Sequence, residues 1–299
     1  MPEDKRAMKE FWDSRPCGSS TSSKTPGTRE FFDEAESYRY EVEPCILEYA
    51  KFDQTQGKTV LEIGVGMGTD SLQFVRHGAR FIGIDLSSRS LRLTQERFRL
   101  YGCVGSLLQA DAECLPFAAN LFDVIYSWGV LLCIPNIRSA VEEVRRVLRP
   151  GGQAIVMLYH RNSLNYWLSI MLIRRVAYRL LRTRIGFSIV DGFSRIDATL
   201  RAKLDRTGSL LAFKKELDRK KVLTRQEILN MSTDGPGLPY TSVFSKREAR
   251  ALFAGFSKVK TSVCCLYEQN LPFGRFLPGR MKGWFGSAWG WFLVVEAIK

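Results

Sequence analysis

Residues Lys58 to Asp70 read KTVLEIGVGMGTD. Val60, Leu61 and Ile63 make a short apolar, partly β-branched run of the kind that forms a buried parallel strand. Gly64, Gly66 and Gly68 follow as a tight turn, and Thr69 stands where it would N-cap a helix from Asp70 to His77. Glycine suits the turn because a Cβ would hold the backbone away from whatever lies across the strand ends, and two of the three positions are expected to need positive φ. A ligand would sit on this turn. The pattern departs from the dinucleotide fingerprint Gly-x-Gly-x-x-Gly/Ala, because its last position, counted from Gly64, is Thr69. Glu62, two residues before the first glycine, is also foreign to that fingerprint. Both departures point to a different nucleoside ligand.

Outward from this stretch, strand and helix patterns alternate five times with short connections. Ala79 to Asp85 reads as a second buried strand ending in an acid about 20 residues beyond the turn, a spacing that suits a carboxylate gripping ribose hydroxyls. Ser87 or Ser88 caps a helix closed by Gly102. Ser106 to Gln109 is a third strand leading to Asp111, and Phe122 to Tyr126 a fourth, after which Ser127 opens a loop. Asn136 caps the next helix, Pro150-Gly151-Gly152 ends it, and Gln153 to Tyr159 is a fifth strand. Such alternation gives an α/β fold with a doubly wound, mostly parallel sheet whose ligands lie at the carboxyl ends of the strands. Glu62, Asp85, Asp111 and Ser127 all fall at those ends.

Composition sets the bounds. A chain of 299 residues with 45% hydrophobic content can bury one α/β core and carry an elaboration. The opening residues MPEDKRAMKEFWD lack a signal-peptide core, and no apolar run reaches the roughly 18 residues of a membrane span, so the expectation is a cytoplasmic protein. Seven cysteines, at positions 17, 45, 103, 114, 133, 264 and 265, are scattered without a Cys-x-x-Cys, which gives no disulfide framework and no metal site. Of the net charge of +13, ten come from one segment: residues 174 to 225 hold 15 Lys or Arg against 5 Asp or Glu.

The chain divides at the sequence level into four parts. Residues 1–45 form an N-terminal lid segment with a short helix, a Ser/Gly/Pro-rich loop and dense aromatics. Residues 46–160 are the nucleoside-binding core, 161–242 a basic helical insertion, and 243–299 the return of the chain to the core sheet, with Val259 to Tyr267 and Gly290 to Ile298 as strands. Pro44 is placed near the start of a second helix, and Ser245 caps a helix running to Gly255.

VLEIGVGMGTD, GIDLS, ADAECLPFAANLFDVIYS and LRPGG together resemble the motifs of the class I S-adenosylmethionine-dependent methyltransferases, of the type 11 kind that includes ubiquinone and menaquinone biosynthesis enzymes. The resemblance is close from Thr59 to Tyr159 and extends, as strand order only, over Phe244 to Ile298. It implies a seven-stranded Rossmann-like sheet with an antiparallel last strand, and S-adenosyl-L-methionine as cofactor. Position by position it gives Glu62, Gly64, Gly66, Gly68 and Thr69 to the methionine part and glycine loop, Asp85 to the ribose, Leu86 to the adenine face, Asp111 and Ala112 to the adenine amino group, and Ser127 to the sulfonium end. Where many relatives carry histidines after the fourth strand, this chain has Leu132 and Cys133. That leaves His160, after the fifth strand, as the candidate base.

Trp12, Tyr38, Tyr40 and Tyr159 are the aromatic candidates for a lid or acceptor site, since aromatic faces attract a sulfonium. The expected acceptor is a small, largely apolar molecule. Residues 164–184, apolar with arginines, suit peripheral contact with an anionic membrane. The competing expectation is a nucleic-acid methyltransferase using the basic insertion.

Overall fold

The computed structural model describes residues 2–196, 210–219, 223–266 and 279–299. Eight strands form one sheet: β1 (Thr59–Ile63), β2 (Arg80–Asp85), β3 (Ser106–Gln109), β4 (Phe122–Trp128), β5 (Leu148–His160), β6 (Val243–Phe244), β7 (Lys258–Cys264) and β8 (Phe292–Ile298). Seven of them run in the order β3-β2-β1-β4-β5-β8-β7, and the two-residue β6 pairs with the end of β5. β1 to β5 are parallel, and β8 enters antiparallel to both β5 and β7. The mostly parallel, doubly wound sheet with an antiparallel last strand is thus the observed architecture. Tyr267, expected at the end of β7, lies outside the described residues.

The strand order reverses at β1, with β2 on one side and β4 on the other, and ligands of open α/β sheets bind at that crevice. Val60, Leu61 and Ile63 fill the centre of the sheet and are buried on both faces. Three crossover helices cover it: α4 (Thr69–Arg76), α5 (Ser88–Leu100) and α6 (Ile137–Val147). The N-caps of α5 and α6 are Ser87 and Asn136, whose side chains accept from the N–H groups of Ser90 and Ser139.

All three glycines of the turn have positive φ, not two: +84° at Gly64, +55° at Gly66 and +72° at Gly68. The third of them is itself the N-cap of α4, so Thr69 is the first helical residue and not the cap. Freed from capping, the Thr69 hydroxyl accepts from Arg97 Nη1 at 2.9 Å. Arg97 is fully buried and also donates to Glu36 and to the Phe32 carbonyl, so one guanidinium fastens α5 to α4 and to the N-terminal helix of residues 29–42. β4 runs two residues further than its sequence pattern, because Ser127 and Trp128 pair with Val156 and Met157.

Before the sheet come α1 (Glu3–Ser14), α2 (Arg29–Val42) and α3 (Cys45–Ala50), with Pro44 capping α3. After β5 a π-helical stretch, Asn165–Arg174, runs directly into α7 (Arg175–Leu181). α8 (Arg184–Ile196), α9 (Leu210–Arg219) and α10 (Arg225–Thr233) follow. Tyr178 stacks on Phe213 and its hydroxyl meets Ser232 at 3.2 Å, which ties α7 to α9 and α10. Of the basic stretch 174–225, residues 197–209 and 220–222 lie outside the described residues. α11 (Lys246–Leu252), capped by Ser245 in a capping box with Glu248, and α12 (Gly279–Trp289) complete the fold. No helix among the described residues is long and apolar enough to cross a membrane.

Candidate active site

A cavity of about 410 Å³ opens over the carboxyl ends of β1 to β5, roofed by α1 and α2. Glu62, Gly64, Gly66, Thr69, Asp85, Leu86, Asp111 and Ala112 line it, as do the aromatic candidates Trp12, Tyr38 and Tyr159. These eleven sequence candidates are brought together from the ends of β1, β2, β3 and β5 and from α1 and α2.

Asp85 ends β2 with each carboxylate oxygen held by a backbone amide: Gly66 N–H donates to Oδ2 at 3.0 Å and Ser87 N–H to Oδ1 at 2.8 Å. Each oxygen keeps acceptor capacity for a ligand hydroxyl. Burial pushes its pKa up to about 6, against the pull of those amides. Asp111 is met by Lys5 of α1, whose Nζ stands 2.5 Å from Asp111 Oδ2 and 2.8 Å from Glu113. Burial alone would lower the Lys5 pKa, but the two carboxylates outweigh it and raise it. At the far end of α1, Asp13 accepts from the Ser87 hydroxyl at 2.8 Å. The N-terminal helix is therefore pinned at both ends across β2 and β3, which sets Trp12 over the cavity.

Beneath α2 lies a buried acidic group. Asp70, 2% exposed, accepts from Arg39 Nε at 3.0 Å and Nη2 at 2.6 Å, from Tyr40 OH at 3.1 Å and from Tyr126 OH at 2.9 Å. Glu62 accepts from the Ser71 hydroxyl, and burial together with the Asp70 charge holds its carboxyl well above the usual range. Glu43 accepts from Trp128 Nε1 at 2.9 Å, and burial raises its pKa too. Among the described residues, six carboxylates line the cavity, those of Glu43, Glu62, Asp70, Asp85, Asp111 and Asp234, against the single guanidinium of Arg39.

Four candidates stand elsewhere. Gly68 does not line the cavity; a Cβ there would come 2.6 Å from Thr94 Cγ2, so its task is the close approach of α4 to α5. Tyr40 acts on Asp70 and not on the cavity. Ser127, expected in a loop, lies inside β4 with its hydroxyl donated to the Ile63 carbonyl at 3.3 Å, and Trp128 takes the place on the wall. His160 is 2% exposed at the end of β5, its Nδ1 3.1 Å from the Gly290 carbonyl oxygen and its pKa lowered by burial. It faces the β5–β8 junction and is absent from the cavity lining.

Sequence reasoning missed Arg39, Glu43, Asp70, Trp128 and Asp234. Asp70 closes the quoted glycine stretch, but an acid in the first turn of a helix is an ordinary feature and gives no local sign of a buried role. Asp234 lies in the turn Thr233-Asp-Gly-Pro-Gly after α10, more than 70 residues from β5, and no local pattern marks it. Burial pushes its pKa up to about 6, against the Thr233 hydroxyl and the Arg15 charge. Its charge in turn adds to burial in raising the pKa of the Tyr159 hydroxyl and the Cys133 thiol, so the three groups share one end of the cavity.

Sheet order and acidic rim together define a class I nucleoside-binding domain, and the comparisons with known proteins agree. Residues 60–152 match the family model described as a methyltransferase domain. The chain is 33% identical over 169 residues to phthiotriol/phenolphthiotriol dimycocerosates methyltransferase 1 of Mycobacterium ulcerans (strain Agy99), covering 56% of this chain and 60% of that protein. It is 32% identical over 108 residues to the sterol 4-C-methyltransferase strm-1 of Caenorhabditis elegans, covering 36% of this chain and 32% of that one. The chain thus spans less than two thirds of the length of these relatives. Magnesium protoporphyrin IX methyltransferase from Synechocystis PCC 6803 with bound SAH superposes with a TM-score of 0.54 at 9% identity over 99% of both chains, a likeness of fold. Residues 60–152 are thus similar to a methyltransferase domain, of the kind that takes S-adenosylmethionine as cofactor.

The residues present fit that cofactor. A cavity rimmed by carboxylates suits a molecule carrying a sulfonium and an ammonium, and the lone guanidinium suits its carboxylate.

Proposed function

We propose that the protein transfers the methyl group of S-adenosylmethionine to a small, largely apolar acceptor by in-line displacement. The observation that carries this reading is one continuous cavity in which the acidic cofactor rim runs into an end walled by Met157, Tyr159, Phe292 and Cys133, with Asp234 as its carboxyl group. Bound on the rim, the cofactor supplies an electrophilic methyl on a sulfonium. Asp85 would hold the ribose, Asp111 and Ala112 the adenine edge, and Arg39 the carboxylate. Trp12, Tyr38 and Trp128 would exclude water and offer aromatic faces to the positive charge. Asp234, in place of His160, would take the proton of an acceptor hydroxyl as the new O–C bond forms and the C–S bond breaks; a carboxyl near 6 is ionised at neutral pH and still basic enough to help.

Relatives whose names denote lipid and sterol methyltransferases support an apolar acceptor. A nucleic-acid acceptor fits poorly, since Asp85, Asp111 and Asp234 place carboxylates along the cavity and the Arg39 guanidinium is already paired with Asp70. Peripheral membrane contact from the cytoplasm belongs to the same reading. It is supported by Trp167, Leu172, Val176, Leu180 and Ile185, all more than 45% exposed on the segment that carries Arg175, Arg179 and Arg182. Incubating lipid extracts with methyl-labelled cofactor and identifying the labelled product by mass spectrometry tests the reaction; label confined to nucleic acid or protein would overturn it. Flotation with anionic liposomes tests the membrane contact, and protein that stays in the bottom fraction would remove that part.

A further inference from the structure

Cys45 meets two consecutive cysteines, Cys264 and Cys265, from the far end of the chain beside the cavity wall. Cys45 opens α3, Cys264 ends β7 and Cys265 follows it, and their sulfurs all lie within 4.8 Å of one another. The Cys45 and Cys265 sulfurs are 2.6 Å apart. Neighbouring residues of a strand normally point to opposite faces, so Cys264 and Cys265 should diverge. Cys265 instead has a φ of +58°, a left-handed conformation that a residue with a Cβ rarely adopts, and this bend lets both sulfurs face Cys45. Its carbonyl, accepting from Trp291 N–H at 2.7 Å, holds the bend in place.

We propose that Cys45, Cys264 and Cys265 form a three-thiolate site for one thiophilic d¹⁰ metal ion, with Zn²⁺ as the first-row example. Soft sulfur sets select such ions. Sulfurs bound to Zn²⁺ at about 2.3 Å stand about 3.8 Å apart, within the observed spread, and the Cys45–Cys265 pair has to open by about 1 Å.

The location gives the site a consequence. Cys45 is two residues from Glu43 on the cavity wall, and Cys264 pairs across the sheet with Phe292, also on that wall. An ion bound there ties the lid helices to the last strands of the sheet. Nothing in this depends on the methyl-transfer reading.

The test uses the whole, reduced chain loaded with Zn²⁺ under anaerobic conditions and then desalted. The expected result is one Zn²⁺ retained per chain by native mass spectrometry, an X-ray absorption spectrum with three sulfur scatterers at about 2.3 Å, and a higher Tm than the metal-free chain. Cys264→Ser should lower Zn²⁺ affinity at least about tenfold while the circular dichroism spectrum and binding of S-adenosylhomocysteine are retained. A desalted chain free of Zn²⁺, or a first shell of nitrogen and oxygen, overturns the proposal. So does a Cys45–Cys265 disulfide that forms in place of metal uptake. The uptake and absorption measurements use the unaltered chain, so the outcome does not depend on a variant folding.

Discussion

The two ends of the cavity are built in opposite ways. At the cofactor end, Glu62, the glycine turn, Asp85 and Asp111 lie within about 50 residues of chain, each at the end of a parallel strand, and backbone amides fix the key carboxylate. At the acceptor end, Tyr159, Cys133, Asp234 and Phe292 come from four separate segments, and one of them arrives through the helical insertion between β5 and β6. The first end is a property of the fold, and the second a property of this chain. Variants at the two ends should therefore fail differently.

The largest effect is expected at Gly64. A side chain there is strained by the φ of +84° and its Cβ would stand 2.2 Å from Val130 Cγ2, so Gly64→Val should abolish detectable binding of S-adenosylhomocysteine in calorimetry. Gly66→Val is milder on packing, since its Cβ would make only ordinary contact with Cys17 at 3.7 Å. At the acceptor end, Asp234→Asn should lower kcat by about 10²- to 10⁴-fold, the usual worth of a positioned base, while cofactor affinity stays within a few-fold. Equal loss of both would erase the distinction between the ends.

Asp85→Asn comes next, with an expected loss of about 10- to 100-fold in cofactor affinity and the fold retained, because hydrogen bonds to a charged partner are worth roughly 1.5–3 kcal/mol. Its pH dependence sharpens the contrast. Ribose hydroxyls donate to the ionised carboxylate, so binding favours the unprotonated form; affinity should be full above a pH of about 6 and fall as pH drops through it. Asp234 predicts the same direction for kcat, since the base works only when ionised. The acid limb of binding should vanish in Asp85→Asn and that of kcat in Asp234→Asn, each leaving the other in place.

The smallest effect is expected at His160. Losing the Nδ1 contact with the Gly290 carbonyl should cost about 1 kcal/mol of stability in denaturant titrations. Activity of His160→Gln should stay within a few-fold of the parent, and a collapse of kcat would restore it as the base.

Much of the cofactor end was legible because periodicity and glycine spacing are local signals. Val60, Leu61 and Ile63 announced a buried strand, and the acids at the ends of β1, β2 and β3 announced the rim. Boundaries were less legible. Thr69 lost its capping role because Gly68 could adopt a left-handed φ and cap the helix itself. Ser127 left the loop for β4 because the partner strand β5 was long enough to pair with it. His160 had the right place in the chain and the wrong direction, since the antiparallel entry of β8 brought Gly290 onto its ring.

By itself the sequence determined the parallel core and the strand-end acids, and through the resemblance of its motifs the kind of cofactor, because each is written in short stretches of chain. Tertiary structure alone decided which groups meet across long separations. It set Asp70 under Arg39, carried Asp234 to Tyr159, and joined Cys45 to Cys265 across 220 residues. Those meetings depend on how helices and edge strands pack against the sheet, and packing is a sum over contacts that no short stretch of chain contains.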